Sequence, residues 1–350
     1  MGALPVGSSR DIALEGDTPQ SRDYVQSLPK LIADAVKQAN ARLAAAQASA
    51  GSGHEEHLSF NRRYVMSDGT VGWNPGKLNP KIVKPAGPID PDVPVVYFET
   101  PQAKPIATYV NFAMHLDTTG GTQISSDYAF TLRDLLGRVK GREMVSLFSI
   151  GTAGDINHVD VTTKQRQQGI GEAARIGTIL AADVLRAYWH LDAITPDTIR
   201  AKSTMLSLAL PKVTPEDLAQ ARKIAVTFGK NAPTFLERVN AYKVIDVANR
   251  DGKPLEVEVQ IIALGNDLAW VALPGEVFVE LGLQIKKASP FKHTILVELA
   301  DGAIGYIPTE RAYREGNYEP TSARCAPGSG EQIVQATVRL LNEVHATASP

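Results

Sequence analysis

Three places in the sequence put a polar side chain at the end of an apolar strand, where α/β proteins build their sites. His115 ends the run NFAMH, and a neutral imidazole there would suit a metal ligand or a general base. The apolar run VSLFSI leads into the small-residue turn Gly151–Gly154, from which Asp155 and Asn157 project. Glu276 follows another strand and a Pro-Gly pair, where we expect the start of a helix to keep its carboxylate ionised and able to bind a cation.

Each place also has a purely structural interpretation, which the residues alone leave open. His115 would then bond to the backbone at its strand end, and Asp155 and Asn157 would close an Asx turn. Glu276 would only cap its helix. Tyrosines at turn ends, such as Tyr306, are more often core or interface groups than ligands.

The composition excludes several classes of protein. With 350 residues, 43% hydrophobic and 21% charged, the chain has ample material for a core and is not disordered. Lysine and arginine number 36 against 38 acidic residues with no basic block, so we expect no nucleic-acid partner. The single cysteine, Cys325, excludes disulfides within the chain and a Cys-rich zinc knuckle. No apolar run reaches the ~20 residues of a membrane helix, and Met1–Arg10 does not resemble a signal peptide.

The elements around the three places predict a mixed α/β fold. No dinucleotide, nucleotide, zincin or α/β-hydrolase motif is present. Strands alternate with helices, which favours a sheet with some parallel pairing, layered with helices. We predict strands at 93–98, 106–112, 144–150 and 294–299, a hairpin of 256–264 with 268–273, and helices at 127–140, 169–188 and 331–345.

Turn residues and helix signals complete the predicted organisation. Thr214 and Pro215 mark a helix start, and Gly229 marks its stop. An amphipathic pattern near the N-terminus predicts a helix that begins near Pro29, and the Pro/Gly-rich segment 68–105 predicts an ordered loop over the scaffold. Since no segment is a convincing linker, we predict one large domain over residues 1–350.

Short motifs along the chain resemble the neutral ceramidases (the neutral or alkaline, non-lysosomal ceramidases) over their zinc-bearing N-terminal domain. Each motif is weak alone, but they follow in the family's order over nearly all 350 residues, which leaves nothing for a C-terminal immunoglobulin-like domain. The matching pieces are NRR at 61–63, NFAMH ending at His115, ISSD at 124–127, GTAGDIN at 151–157, LPGE at 273–276, GYIPTERAY from Gly305, and YE at 318–319.

The resemblance implies a zinc site and a set of catalytic residues. The family holds zinc by two histidines, a glutamate and a tyrosine; His115 matches the second histidine, Glu276 the glutamate and Tyr306 the tyrosine. Arg62 and Tyr318 match an arginine and a tyrosine that line the family's site. Zn²⁺ with an open position lowers the pKa of bound water to about 7 and polarises an acyl carbonyl. Arg62 and Tyr318 would then bond to the developing oxyanion or to the leaving group.

The chain departs from the family's pattern twice. The family's first zinc histidine lies in a THTHSGP-like motif just before a segment that resembles Gly2–Pro5, so we expect the chain as given to lack that N-terminal segment. A secreted or periplasmic location would follow if the natural start lies upstream. The family's catalytic serine is replaced by Asn157, followed by His158 in place of proline. An amide is no acyl-accepting nucleophile, but Asn157 remains a candidate donor to a carbonyl oxygen.

Two functions are therefore expected from the sequence. The first is a zinc-dependent hydrolase of an amide or ester bond, with a small-molecule or lipid substrate. The second is a non-catalytic binding protein that has kept the ceramidase-like fold but lost a zinc ligand and the serine. The substrate and the oligomeric state are not determined by the sequence.

Overall fold

The structure is a computed structural model that describes residues 19–195, 198–227, 229 and 232–346. Gly2–Pro5, the segment that resembles the residues after the family's first histidine, lies outside this range. The described residues contain nine helices and sixteen strands. The helices are α1 Pro19–Asn40, α2 Tyr128–Lys140, α3 Ile170–Ala187, α4 Pro215–Ala225, α5 Phe235–Ala248, α6 Val279–Ala288, α7 Glu310–Glu315, α8 Tyr318–Ser322 and α9 Ser329–Ala346.

The strands confirm the mixed α/β class. The predicted strands in the first half and the hairpin in the second half are all present, with ends shifted by a few residues. They are β1 Gln47–His54, β2 Phe60–Asn61, β3 Arg63–Met66, β4 Val71–Trp73, β5 Ile82–Pro85, β6 Asp92–Glu99, β7 Pro105–Phe112, β8 Val145–Ile150, β9 Ile156–Asn157, β10 Asp192–Ile194, β11 Ile199–Leu208, β12 Leu255–Leu264, β13 Leu268–Ala272, β14 Glu276–Val277, β15 His293–Val297 and β16 Tyr306–Ile307.

The chain divides into two compact units, a division that the sequence did not indicate. The smaller unit comprises Met1–Ala45 and Leu210–Pro254, and its described elements are the helices α1, α4 and α5. The predicted start at Thr214 is confirmed, because its hydroxyl accepts the Asp217 amide in a capping box. The prediction that α1 begins near Pro29 is wrong. Pro29 lies inside this helix, since a proline removes one hydrogen bond without preventing helical turns on both sides.

The larger unit comprises Ala46–Ala209 and Leu255–Pro350 and holds all the described strands. Its two main sheets have the strand orders β10-β1-β6-β7-β8 and β11-β12-β13-β15. Each sheet contains one parallel pair, β7 with β8 and β13 with β15, while the other neighbours are antiparallel. The expected parallel pairing is therefore confirmed, once in each sheet.

Four layers build the larger unit. Leu132 on α2 and Ile176 on α3 pack with Val110 and Phe112 of β7 on one face of the five-stranded sheet. The other face packs on the four-stranded sheet through Val96 and its neighbours. Helix α9 lies against β11 and β12 on the far side. The order of layers is helices, sheet, sheet, helix, and the two buried sheet faces explain the continuous apolar runs in the strands.

The segment 68–105, predicted as a loop, also forms short strands. β4 and β5 flank β3 in a three-stranded antiparallel sheet before the chain enters β6. Proline and glycine confine these strands to three or four residues each. In the part of the chain that the structure covers, none of the helices combines the length and apolarity needed to cross a membrane.

The contact between α2 and α3 depends on a glycine. A Cβ added at Gly177 would lie 2.4 Å from the Tyr128 carbonyl oxygen, whereas one at Gly171 on the same helix would meet nothing within 4 Å. We expect Gly177→Ala to lower the free energy of unfolding by about 1–3 kcal/mol through overpacking. Gly171→Ala should raise it by about 0.4–1 kcal/mol, because alanine restricts the unfolded chain. Urea unfolding of both variants checks this, and equal effects would contradict the close contact.

Candidate functional site

The candidate site lies where the carboxyl ends of the two parallel strand pairs meet. β7 leads to His115, β8 leads to the Gly151–Asn157 turn, and β13 leads to Glu276. The two sheets are joined at this end, because Glu298, directly after β15, donates its backbone N–H to the carbonyl of Ile150, the last residue of β8. The carboxyl ends of parallel strands are where α/β folds place their ligands.

His115 and Glu276 face each other across this junction. The Nε2 atom of His115 lies 3.2 Å from Oε2 of Glu276. Its Nδ1 lies 2.9 Å from the Ile156 carbonyl oxygen, which only accepts, so Nδ1 carries a hydrogen and Nε2 is directed at the carboxylate. Burial disfavours the charged form of Glu276, but hydrogen bonds from His115 and Tyr306, with the charges of His115 and Arg62, outweigh it and hold the pKa of Glu276 below its usual value.

Glu276 does not begin a helix, so the expectation that a helix dipole stabilises its charge is wrong. It lies in the short strand β14, which pairs in parallel with β16 so that Glu276 stands beside Tyr306. Helix α6 begins only at Val279. The groups that keep the carboxylate ionised are therefore side chains brought from other segments.

Tyr306 and Tyr318 extend the site on the side of Glu276. Their ring centroids are 5.4 Å apart, and Tyr318 also stacks on Trp73 at 4.4 Å. The hydroxyl of Tyr306 is hydrogen bonded to Glu276 and to Tyr318. Burial raises the pKa of Tyr306 well above its ordinary value, an effect that nearby Arg62 offsets only in part, so the group is a neutral phenol in the protein.

Arg62 lies against His115 and the two tyrosine rings. Its Nε donates to Glu319 at 2.8 Å and its Nη2 donates to the Gly154 carbonyl at 2.8 Å. The remaining Nη1 lies 3.5 Å from Nε2 of His115. The guanidinium is also 5.4 Å from the Tyr306 ring centroid, within the range of a cation–π contact. Two of its three nitrogens are thus fixed by the protein and the third points to the reactive side chains.

Asn157 lies beside this group, but its amide is engaged by the protein. Its Nδ2 donates to Oδ1 of Asn74 at 3.0 Å, and its Oδ1 accepts the Val159 N–H at 3.0 Å. The second contact is the local Asx bond that the structural interpretation anticipated. A catalytic role for Asn157 stays a prediction, as do the roles of Arg62 and Tyr318.

Two buried carboxyl groups hold the turn after β8 against the other site elements. Asp155 accepts Nδ2 of Asn61 at 2.7 Å and the Val279 N–H at 2.9 Å. Glu298 accepts the Ala153 N–H at 3.0 Å and the Val277 N–H at 2.9 Å through one oxygen. Burial raises the pKa of Asp155 to about 6 and raises that of Glu298 well above its usual value, with help from nearby carboxylates.

A glycine allows this turn to approach β14. Gly154 donates its N–H to the Val277 carbonyl at 2.8 Å, and a Cβ on Gly154 would lie 2.4 Å from the Glu276 carbonyl oxygen. Only a residue without a side chain fits this contact. The small residues of the turn therefore allow its backbone to pack directly against the backbone of β14.

The spacing of the donor atoms of His115 and Glu276 is close to that of two ligands on one zinc ion. Two ligand atoms on a tetrahedral zinc with bonds of about 2.0–2.2 Å lie about 3.3–3.6 Å apart, close to the 3.2 Å between the His115 and Glu276 atoms. The Nδ1–H bond to a carbonyl is also the usual support of a ligand histidine. In the described part of the chain, however, His, Cys, Asp and Glu side chains form no group of three or more that could bind a metal. Two donor atoms, those of His115 and Glu276, are therefore spaced as two ligands of one zinc ion would be.

The structure brings together five of the six residues named from the sequence, Arg62, His115, Glu276, Tyr306 and Tyr318. The supporting roles of Glu298 and Glu319 were not predicted from the sequence. One signal for Glu298 was available, because an acidic residue interrupts the apolar run TILVELA. Glu319 belongs to the YE motif at 318–319, but its partners Arg62 and Arg63 are more than 250 positions away and could not be read from the motif.

Comparison with solved structures places the fold among ceramidases. The neutral ceramidase from Pseudomonas aeruginosa superposes with a TM-score of 0.63 and 18% sequence identity, over 88% of this chain and 54% of that one. A ceramidase complexed with C2 superposes with a TM-score of 0.66 and 17% identity, over 88% and 55% of the two chains. The chain thus spans about half the length of these structures and shares their fold. No family model and no curated protein matches the sequence.

The two backbone hydrogen bonds that Glu298 accepts lead to a prediction about stability. Glu298→Ala leaves the Ala153 and Val277 amides without an acceptor, and we expect a loss of about 2–5 kcal/mol in the free energy of unfolding. Glu298→Gln keeps an accepting oxygen and should lose clearly less. Denaturant unfolding measures both, with Glu56→Ala on the surface as the control. A Gln variant as unstable as the Ala variant would mean that the two amide bonds are not what Glu298 provides.

Proposed function

We propose that this protein is a metal-dependent hydrolase that cleaves an amide or ester bond, with a lipid as the substrate class. The observation that supports this most directly is the approach of His115 Nε2 to Glu276 Oε2 at 3.2 Å, with the Arg62 guanidinium beside it, in a fold shared with ceramidases. An imidazole lone pair and a carboxylate are both acceptors, so their contact requires a proton or a cation between them.

In this proposal His115, Glu276 and Tyr306 hold a zinc ion. When bound, the ion would supply a water of lowered pKa and would polarise the acyl carbonyl. The protein's own groups then act on the acyl oxygen and the leaving group. In the proposal, Nη1 of Arg62, the guanidinium nitrogen that is not bound to Glu319 or Gly154, donates to the developing oxyanion. Tyr318, which lies beside Tyr306, donates to the leaving group.

A second candidate is a non-catalytic binding protein, and two observations favour it. Asn157 stands at the family's serine position, and both the nitrogen and the oxygen of its side-chain amide are hydrogen bonded within the protein. Arg62 Nη1, 3.5 Å from Nε2 of His115, places a positive charge where the metal would bind. The second observation favours weak binding of zinc.

The zinc affinity of site variants tests which residues hold the ion. We expect His115→Gln and Glu276→Gln to weaken Zn²⁺ binding by at least about 10–100-fold, because even supporting residues of metal sites have effects of that size. Isothermal titration of the metal-free protein measures the affinity. His190→Gln, an exposed histidine away from these residues, is the matched control. Unchanged binding in both site variants would refute the proposed ligands.

Hydrolysis separates the enzyme from the binding protein. The zinc-loaded protein should release fatty acid from N-acyl or O-acyl lipid substrates, lose this activity with a chelator, and regain it with zinc. Arg62→Gln should lower kcat, by about 10²–10³ for the loss of one oxyanion donor. A protein that binds zinc at His115 and Glu276 but releases no fatty acid from either substrate type supports the second candidate.

Asn157 gives an independent test of the acyl-transfer chemistry. Asn157→Ala should reduce hydrolysis by about 10²–10³ if the amide donates to the carbonyl oxygen, and should change only stability if it serves Asn74 and Val159. Asn157→Ser restores a hydroxyl at this position and is expected to improve cleavage of ceramide. If the unmodified protein already cleaves ceramide at a rate that serine does not improve, the argument from the missing serine is wrong.

A further inference from the structure

His158 is a buried histidine whose two ring nitrogens both face hydrogen-bond acceptors. Nδ1 lies 3.0 Å from Oδ1 of Asp117, and Nε2 lies 2.8 Å from the Gln167 carbonyl oxygen. The residue is only 4% exposed. A neutral imidazole has one N–H, while a carboxylate and a carbonyl have none to offer. Both contacts are therefore satisfied only by the doubly protonated imidazolium.

The charges around His158 agree with this protonation state. Burial alone would lower the pKa of His158, but the hydrogen bond and charge of Asp117, the Gln167 carbonyl and Glu172 at the start of α3 raise it above the ordinary value. Asp117, whose side chain is 45% exposed, has a pKa below its usual value, because partial desolvation is outweighed by the hydrogen bond from His158 and the charges of His115, His158 and Arg62. Lys77 binds the side-chain oxygen of Gln167.

The contact with Asp117 belongs to a ladder that joins two chain segments. His115 donates to the Ile156 carbonyl with its backbone N–H at 3.4 Å and with its ring Nδ1 at 2.9 Å. Two residues further along each segment, His158 bonds to Asp117. Residues 115–117 are thus held along residues 156–158 by three bonds, and the last of them is the charged one.

Gln167 anchors the far side of this ladder. Its carbonyl accepts Nε2 of His158, its side-chain nitrogen donates to the His158 carbonyl at 2.9 Å, and its side-chain oxygen accepts the Asp160 N–H. His158 is therefore held on both sides, and its position is transmitted to the segment that carries His115. When His158 loses its second ring proton, it can no longer donate to both Asp117 and Gln167, and one of these two hydrogen bonds breaks.

We propose that the His158 imidazolium is a positioning residue that orients His115 toward Glu276 and makes the metal affinity of the site depend on pH. Only the part of this inference that concerns metal affinity rests on the proposed function. Because the pKa of His158 is raised in the folded protein, both of its hydrogen bonds are present below the ordinary histidine pKa of about 6.5. One of them is lost as the pH rises through the higher pKa of His158 in the folded protein.

Histidine NMR of the metal-free protein tests the protonation and the coupling. In protein labelled with ¹⁵N-histidine, the His158 ring should keep both N–H signals to a higher pH than exposed His190. The His115 backbone amide should show an inflection at the His158 midpoint, and this inflection should vanish in His158→Gln, whose side chain does not titrate. A His158 ring that is neutral at pH 6, or a His115 amide without that inflection, overturns the proposal.

Zinc titration then tests the consequence for the site. At pH 6, His158→Gln should bind Zn²⁺ about 10-fold more weakly than the parent, the lower end of what supporting residues contribute, and the ratio should fall toward one above the His158 midpoint. His190→Gln should match the parent at each pH. A constant ratio overturns the pH dependence. If no variant binds zinc, the proposed function fails, while the NMR coupling of His158 to His115 is still decided by the metal-free protein.

Discussion

Glu319 is the buried charge on which the site depends. It is fully buried, so its carboxylate must be balanced within the protein, and Arg62 and Arg63 both bind it at 2.8 and 3.0 Å. A buried carboxylate with one partner removed is strongly destabilising. Arg63 also pairs with Glu315 at 3.1 Å, so the two arginines are matched by two glutamates, and Arg62 places its remaining nitrogen 3.5 Å from Nε2 of His115. The ionised state of Glu276 follows from the same arrangement, since Arg62 adds to the charges that favour it.

The meeting of two sheets explains why this cluster exists at all. The parallel pairs β7–β8 and β13–β15 end at the same place, so the residues after them have backbone groups that no sheet satisfies. Glu298 and Asp155 accept three backbone N–H groups there, and Asp155 also accepts the side-chain amide of Asn61. Because these carboxyl groups are enclosed, they retain protons more readily, and the structure can place several acids together without a matching number of cations.

The elements of the fold follow from local sequence patterns. Periodic apolar residues and turn signals placed α2, α3, α9 and the β12–β13 hairpin, because each forms from contacts within a few residues or with its direct neighbour. Errors occurred where a local rule had exceptions: Pro29 was taken as a helix start, and Glu276 was assigned to a helix that begins three residues later. The division into two compact units was not indicated by the sequence, because the smaller unit combines segments from distant parts of the chain.

The same distinction between local sequence and tertiary structure applies to the candidate site. Residue type and motif order were sufficient to name His115, Glu276 and Tyr306, because their chemistry is a property of the side chains. The tertiary structure decided which atoms of these residues face each other, which protonation states their surroundings impose and how Arg62 is held. Hydrogen-bond partners such as Glu319 and His158 are set by the approach of segments far apart in the chain, and desolvation is set by everything packed around them. Neither quantity is encoded in any short stretch of residues, so both appear only when the two sheets are assembled.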